Sequence, residues 1–268
     1  RTDAPACRAP LLRALSHCRA QAFPPFFDGA ISVSNSQWIR VETVDGAFDA
    51  YLALPPSGKT ANAPGIVLVQ EIFGVNEHIR GVADQYAMDG YVVLAPDIFW
   101  RAAPRIELGY AGDDMTRALA LRKSVDVEKA VKDIEATVKA LRARIDGGAK
   151  VAAVGYCFGG LLSYLSAARG LVDAAVPYYG GGIHNYLAEA ANLNVPVQFH
   201  YGALDSHITP DIVTSVSDTV KSRPNTEVFV YPGADHGFNC WARGSYHQPS
   251  AALAHGRALE FLAKSLTT

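Results

Sequence analysis

The sequence predicts an α/β protein: a mainly parallel β-sheet covered by helices on both faces. Short continuous apolar runs at 65–70, 91–96 and 174–179 have the length of strands buried on both sides. Longer segments between them repeat apolar residues at the helical interval, as Val127, Val131, Ile134, Val138 and Leu141 do. The two patterns alternate along the chain, which is what crossover connections between parallel strands require.

The elements follow in order. Residues 36–43 and 47–54 are alternating runs joined by Val44-Asp45-Gly46, and Asp-Gly between two such runs signals a tight hairpin. A loop at 55–64 leads into the apolar strand 65–70. Asn76 opens a helix that ends near Gly90, and 91–96 is the next strand. Residues 97–122 form a mixed polar stretch expected to be loop. A helix over 124–145 precedes a buried strand at 151–154. Further strands are expected at 174–179, 195–201 and 227–231, with helices at 210–221 and 250–266.

At 268 residues the chain is long enough to bury a large core, and 49% hydrophobic with 19% charged residues describes a globular chain. A net charge of -2 without a long basic run argues against nucleic acid or an anionic membrane as partner. The least charged window, 151–168, is broken by glycines, serines and tyrosines and reads as buried strand and helix instead of a membrane span. Cys7, Cys18, Cys157 and Cys240 are too sparse for a disulfide framework, so a reducing, cytoplasmic setting is expected. Residues 1–30, Arg-rich and poor in acids, read as a leader of uncertain origin with some transit-peptide character; the catalytic domain is expected over 31–268. Within that leader, 22–27 could lie against the domain surface.

The chemistry centres on Gly155-Tyr156-Cys157-Phe158-Gly159-Gly160, which follows the buried strand and opens an apolar helix. Strand, sharp turn and helix with glycines two before and two after a nucleophile make a nucleophile elbow, here with a thiol where serine is usual. A thiol lies closer to its reactive anion than a hydroxyl does. It needs a base, and the base needs an orienting acid, in the chain order nucleophile, acid, base. Asp205 follows one expected strand and His236 follows the last, so both reach the sheet edge that holds Cys157. Asp97 and Asp235 are rival acids. Asp97 precedes the nucleophile, and Asp235 adjoins His236 in sequence and is poorly placed to bond its ring. Cys240, four residues after His236, suggests a metal pair, but no CxxC or HxxxH accompanies it, and no metal is expected.

VGYCFGG at 154–160, the loop around Asp205 and GADHGF at 233–238 resemble the dienelactone hydrolases, or carboxymethylenebutenolidases. The likeness extends to QEIFGVN at 70–76, PDIF at 96–99 and Tyr178-Tyr179-Gly180, and covers about residues 36–266. It implies the α/β-hydrolase fold and cofactor-free hydrolysis of an enol lactone to a keto diacid such as maleylacetate. It further implies that Cys157, Asp205 and His236 are the triad and that Glu71 keeps the resting thiol neutral, since a carboxylate beside a thiol opposes its ionisation. The amides of Phe158 and Ile72 would form the oxyanion hole. Arg101 and Arg243 would hold the substrate carboxylate, with Arg105 in reserve; where the best-known family pattern has an arginine soon after the histidine, this chain has Cys240. Tyr178 and Tyr179 are expected to pack at the pocket border. Two other readings share these residues: an esterase or lactonase with a different small-molecule substrate, and a non-catalytic thiol sensor or ligand-binding member.

Overall fold

The computed structural model describes residues 35–266, apart from 57, 59, 146, 147 and 224. The leader, with Cys7, Cys18 and residues 22–27, lies outside the described residues.

Eight strands form one sheet in the order β1-β2-β4-β3-β5-β6-β7-β8. β1 (Asn35–Thr43) and β2 (Gly46–Leu54) are the expected hairpin, closed by a two-residue turn that sets Thr43 opposite Gly46. β2 runs antiparallel to β4 (Val92–Pro96). From there the sheet is parallel through β3 (Gly65–Val69), β5 (Val151–Tyr156), β6 (Ala174–Tyr178), β7 (Val197–Gly202) and β8 (Thr226–Tyr231). Every residue of β3, β4, β5, β6 and β7 is buried. Unbroken apolar runs, not alternating ones, are what a sheet covered on both faces demands.

Among the described residues five α-helices lie between strands, α1 (Glu77–Met88), α2 (Gly112–Ser124), α3 (Val127–Arg142), α4 (Phe158–Ala168) and α5 (Pro210–Val220), and α6 (Gln248–Leu266) follows the last strand. Asn76 caps α1 by accepting from the Ile79 amide, and Asp126 caps α3 by accepting from Glu128 and Lys129. Val131, Ile134, Val138 and Leu141 form the buried stripe of α3.

Two segments depart from the sequence expectation. The stretch read as loop over 97–122 contains most of α2, where only Ala118 is buried, so no apolar stripe betrays it. A 3-10 segment, Ile183–Asn192, broken at Tyr186, lies between β6 and β7, where the sequence reading expected no helix.

The order β4-β3-β5 sends the chain one way from β3 to β4 and the other way to β5. The crevice beyond the carboxyl ends of β3 and β5 is therefore the topological switch point, where open α/β sheets bind their ligands.

Candidate active site

Four strand ends deliver the expected residues to one edge. Glu71 follows β3, Cys157 follows β5, Asp205 follows β7 and His236 follows β8. Cys157 occupies the sharp turn at φ 53° and ψ -113°, a left-handed backbone that a non-glycine residue rarely takes. The amide of Cys157 donates to the Tyr178 carbonyl at 3.0 Å, and its own carbonyl accepts from Gly160 at 3.0 Å. The turn can be this tight because of the flanking glycines. A Cβ on Gly155 would stand 2.0 Å from the Gly159 carbonyl oxygen, and one on Gly159 would stand 2.2 Å from that of Val69. No side chain fits at either position, so strand and helix approach backbone to backbone.

The His236 ring bonds through Nδ1 to Asp205 Oδ2 at 2.7 Å. The other oxygen of Asp205 accepts from the amides of His207 and Ile208 at 2.8 and 3.0 Å. Burial opposes ionisation of Asp205, but the bond and charge of His236 and these two amides outweigh it and hold the carboxyl below its usual range. Burial likewise opposes a charge on His236. Opposing it in turn, a negative charge at Cys157 and the bonded Asp205 carboxylate push the imidazole up to about 10. Cys157, His236 and Asp205 thus lie together at one edge of the sheet, with His236 and Asp205 directly bonded. The two rival acids serve the backbone: Asp97 accepts from Phe99 and Arg105 amides at 2.9 and 2.6 Å, and Asp235 accepts from the His236 amide at 2.6 Å.

Neither the Phe158 amide, at the start of α4, nor the Ile72 amide, past β3, has an acceptor among the described residues. A helix N-terminus carries partial positive charge and free N–H groups, so the Phe158 end suits a developing oxyanion.

The structure redistributes the charged residues. Glu71 is buried, but its hydrogen-bond partner is Arg243, at 3.1 Å, and not the thiol. Its second oxygen has no partner among the described residues. Burial raises the Glu71 pKa even though Arg243 and His236 pull it down. One guanidinium nitrogen of Arg243 is thus engaged by Glu71. Arg101, the other expected anchor, is not brought to the triad: its guanidinium forks onto both oxygens of buried Asp133, at 2.5 and 3.1 Å, and reaches Asp45 at 3.0 Å. Buried Asp133 supplies the reason, because an unpaired carboxylate there would be costly and Arg101 neutralises it. Arg105 pairs with Asp49 at 2.8 Å.

Cys240 is buried, and burial together with Glu71 pushes its pKa up to about 12, which keeps it a thiol. Among the described residues no group of three or more His, Cys, Asp or Glu side chains could hold a metal ion. The Tyr179 ring stands edge-on to His236, centroids 5.1 Å apart, while Tyr178 lies beneath and donates to the Ala254 carbonyl at 3.1 Å. One further cation belongs to this region and no motif announced it. Arg122, from the last turn of α2, stacks its guanidinium 4.0 Å over the Phe158 ring.

A family model described as "Dienelactone hydrolase family" matches residues 48–266. This chain belongs to the dienelactone hydrolase family. Among curated relatives, carboxymethylenebutenolidase from Pseudomonas putida is 34% identical over 229 residues, covering 85% of this chain and 96% of its own. Carboxymethylenebutenolidase 1 from Cupriavidus pinatubonensis is 33% identical over 219 residues, covering 81% and 92%. A solved dienelactone hydrolase-like promiscuous phosphotriesterase, P91 from metagenomic libraries, superposes with a TM-score of 0.74 at 21% identity, covering 88% of this chain and all of its own. At that identity it speaks for the α/β-hydrolase fold alone. The protein is a hydrolase of the dienelactone hydrolase family.

Proposed function

We propose that this hydrolase uses Cys157 as nucleophile on the carbonyl of enol lactones such as dienelactone, releasing keto diacids of the maleylacetate type. The observation that carries the reading is the 2.7 Å bond between His236 and Asp205, on a ring that feels the charge of the elbow cysteine. In this reading His236 takes the thiol proton, and the Asp205 carboxylate bonded to its ring supports the imidazolium that results. The thiolate attacks the carbonyl carbon, and the Phe158 and Ile72 amides receive the oxyanion. Collapse of that intermediate expels the enol oxygen, which takes the proton from His236 as it departs or, as an enolate, directly afterwards, so that the imidazole is neutral again. The resulting thioester at Cys157 is then hydrolysed by a water that His236, oriented by Asp205, deprotonates. Each oxyanion donor contributes about 3 kcal/mol to lowering such barriers.

No cofactor enters these steps, and the partner is a small-molecule lactone or ester. A thiolate nucleophile is best preserved in a reducing compartment such as the cytoplasm, and no helix among the described residues is long and apolar enough to cross a membrane. One observation favours the broader esterase or lactonase reading: Arg101 and Arg243 are both paired with carboxylates of the protein.

The test measures wild type and Cys157→Ala on cis- and trans-dienelactone, simple lactones and p-nitrophenyl esters. The reading expects wild-type turnover with preference for the carboxylate-bearing lactones, and its loss in Cys157→Ala with the fold retained. Full activity in the variant would remove the thiol mechanism. Indifference to the substrate carboxylate would favour the general esterase.

A further inference from the structure

The arginines around this edge of the sheet are nearly all spoken for by carboxylates of the chain. Arg101 pairs with Asp133 and Asp45, Arg105 with Asp49, Arg169 with Glu128 and Glu189, and Arg243 with Glu71. Arg122 is different. It is half-buried and forms no ion pair with a carboxylate among the described residues. Its guanidinium carbon stands 4.0 Å over the ring of Phe158, the residue next to Cys157 and one of the proposed oxyanion donors. Its charge interacts with Cys157 and with Tyr186, at the break in the 3-10 segment. Burial without a carboxylate partner is unfavourable for a guanidinium, and among the described residues no carboxylate is paired with it to offset that cost.

We propose that Arg122 is the specificity-determining residue of the site, binding an anionic group, above all a carboxylate, carried by the substrate close to its scissile carbonyl. The Phe158 ring covers one side of the guanidinium, and no hydrogen bond among the described residues occupies its N–H groups, which can receive a carboxylate through two parallel hydrogen bonds. Phe158 is buried beneath the guanidinium, and half-buried Tyr186 is a second aromatic residue that acts on its charge. Arg122 thereby takes the anchoring role that Arg101 is too far committed to fill. The proposal rests on Cys157 being the reactive thiol of this site, and it deepens the hydrolase reading by naming what the substrate must carry.

The experiment has two arms so that the two ideas fail separately. In the first, Cys157 is alkylated with iodoacetate, an anion, or with iodoacetamide, its neutral counterpart, at low salt, and the rate at that cysteine is followed by peptide mass mapping. The thiolate displaces iodide, so one S–C bond forms as one C–I bond breaks, and no turnover is needed. The iodoacetate-to-iodoacetamide rate ratio is expected to fall at least fivefold in Arg122→Gln and to be largely kept in Arg122→Lys. An unchanged ratio in Arg122→Gln overturns the proposal, as does an equal slowing with both reagents, which would make Arg122 only an activator of the thiol. In the second arm, kcat/KM is compared on 4-nitrophenyl hydrogen adipate and 4-nitrophenyl methyl adipate. The anionic-to-neutral ratio is expected to drop tenfold or more in Arg122→Gln, mainly through KM; a ratio that does not move contradicts the anchor. If wild type hydrolyses neither these esters nor the lactones, the reading of Cys157 as a hydrolytic nucleophile fails while the alkylation ratio still decides the role of Arg122.

Discussion

Replacing Arg243 by glutamine removes the counter-charge of a buried carboxylate while keeping a side chain of similar reach. The Glu71 side chain is 1% exposed, that of Arg243 16%, and their contact is 3.1 Å. At an effective dielectric of about 20 two unit charges at that separation attract by about 5 kcal/mol. Breaking a buried pair from one side costs about 3–5 kcal/mol, because the remaining charge is left unsolvated. His236 supplies some positive charge to Glu71, so the lower end, about 3 kcal/mol at pH 8, is the expected loss. For a chain of this size that lowers Tm by roughly 6–12 °C.

The pH dependence supplies the sharper check. Glu71 has a folded pKa raised above its ordinary 4.5. A carboxyl of this kind favours the fold while protonated, at and below 4.5, and that contribution is lost as pH rises through the folded value. Losing Arg243 raises the folded value further, so the deficit of the variant is largest at pH 8 and shrinks toward pH 5. Urea unfolding of wild type, Arg243→Gln and the double variant Glu71→Gln/Arg243→Gln at both pH values measures this, and the double variant is expected to recover at least half of the loss at pH 8. A deficit under about 1 kcal/mol at pH 8, or one of equal size at both pH values, would refute the reasoning that Glu71 is a buried charge dependent on Arg243.

Two further outcomes follow from the geometry. Gly159→Ala places a methyl group 2.2 Å from the Val69 carbonyl oxygen, so β3 and α4 must separate; the expected cost is about 3 kcal/mol or more in denaturant unfolding, with hydrolysis lost as the elbow shifts. A stable, active variant would mean that the elbow is looser than this contact implies. Asp205→Asn removes the acceptor of the 2.7 Å bond and the charge that supports the imidazolium, so kcat is expected to fall by about 10²–10⁴-fold with the fold intact, read by steady-state kinetics and circular dichroism. A loss below threefold would exclude Asp205 as the orienting acid.

The sheet was legible because strands buried on both faces must be written as unbroken apolar runs, and 65–69, 92–96 and 151–156 are written so. The elbow was legible for a related reason: Gly155 and Gly159 stand where backbone touches backbone, and only glycine satisfies that contact. Helix α2 was not legible, since it packs little and presents no apolar period. The charged pairs were the least legible part. Which arginine meets which carboxylate depends on segments far apart in the chain: Glu71 and Arg243 are 172 positions apart, Arg101 and Asp133 are 32. Motif position alone therefore put Arg101 in the site, whereas buried Asp133 draws it away. Arg122 had no motif at all, and its place beside Cys157 emerges only when α2 folds against the start of α4.

The most direct measurement is mass spectrometry of the enzyme quenched in acid during turnover of a slowly deacylated lactone or ester. The account predicts a mass increase equal to the acyl group, mapped to the peptide bearing Cys157, absent in Cys157→Ala and accumulating in Asp205→Asn. Steady hydrolysis with Cys157 never acylated, or an acyl group carried by another residue, would contradict it.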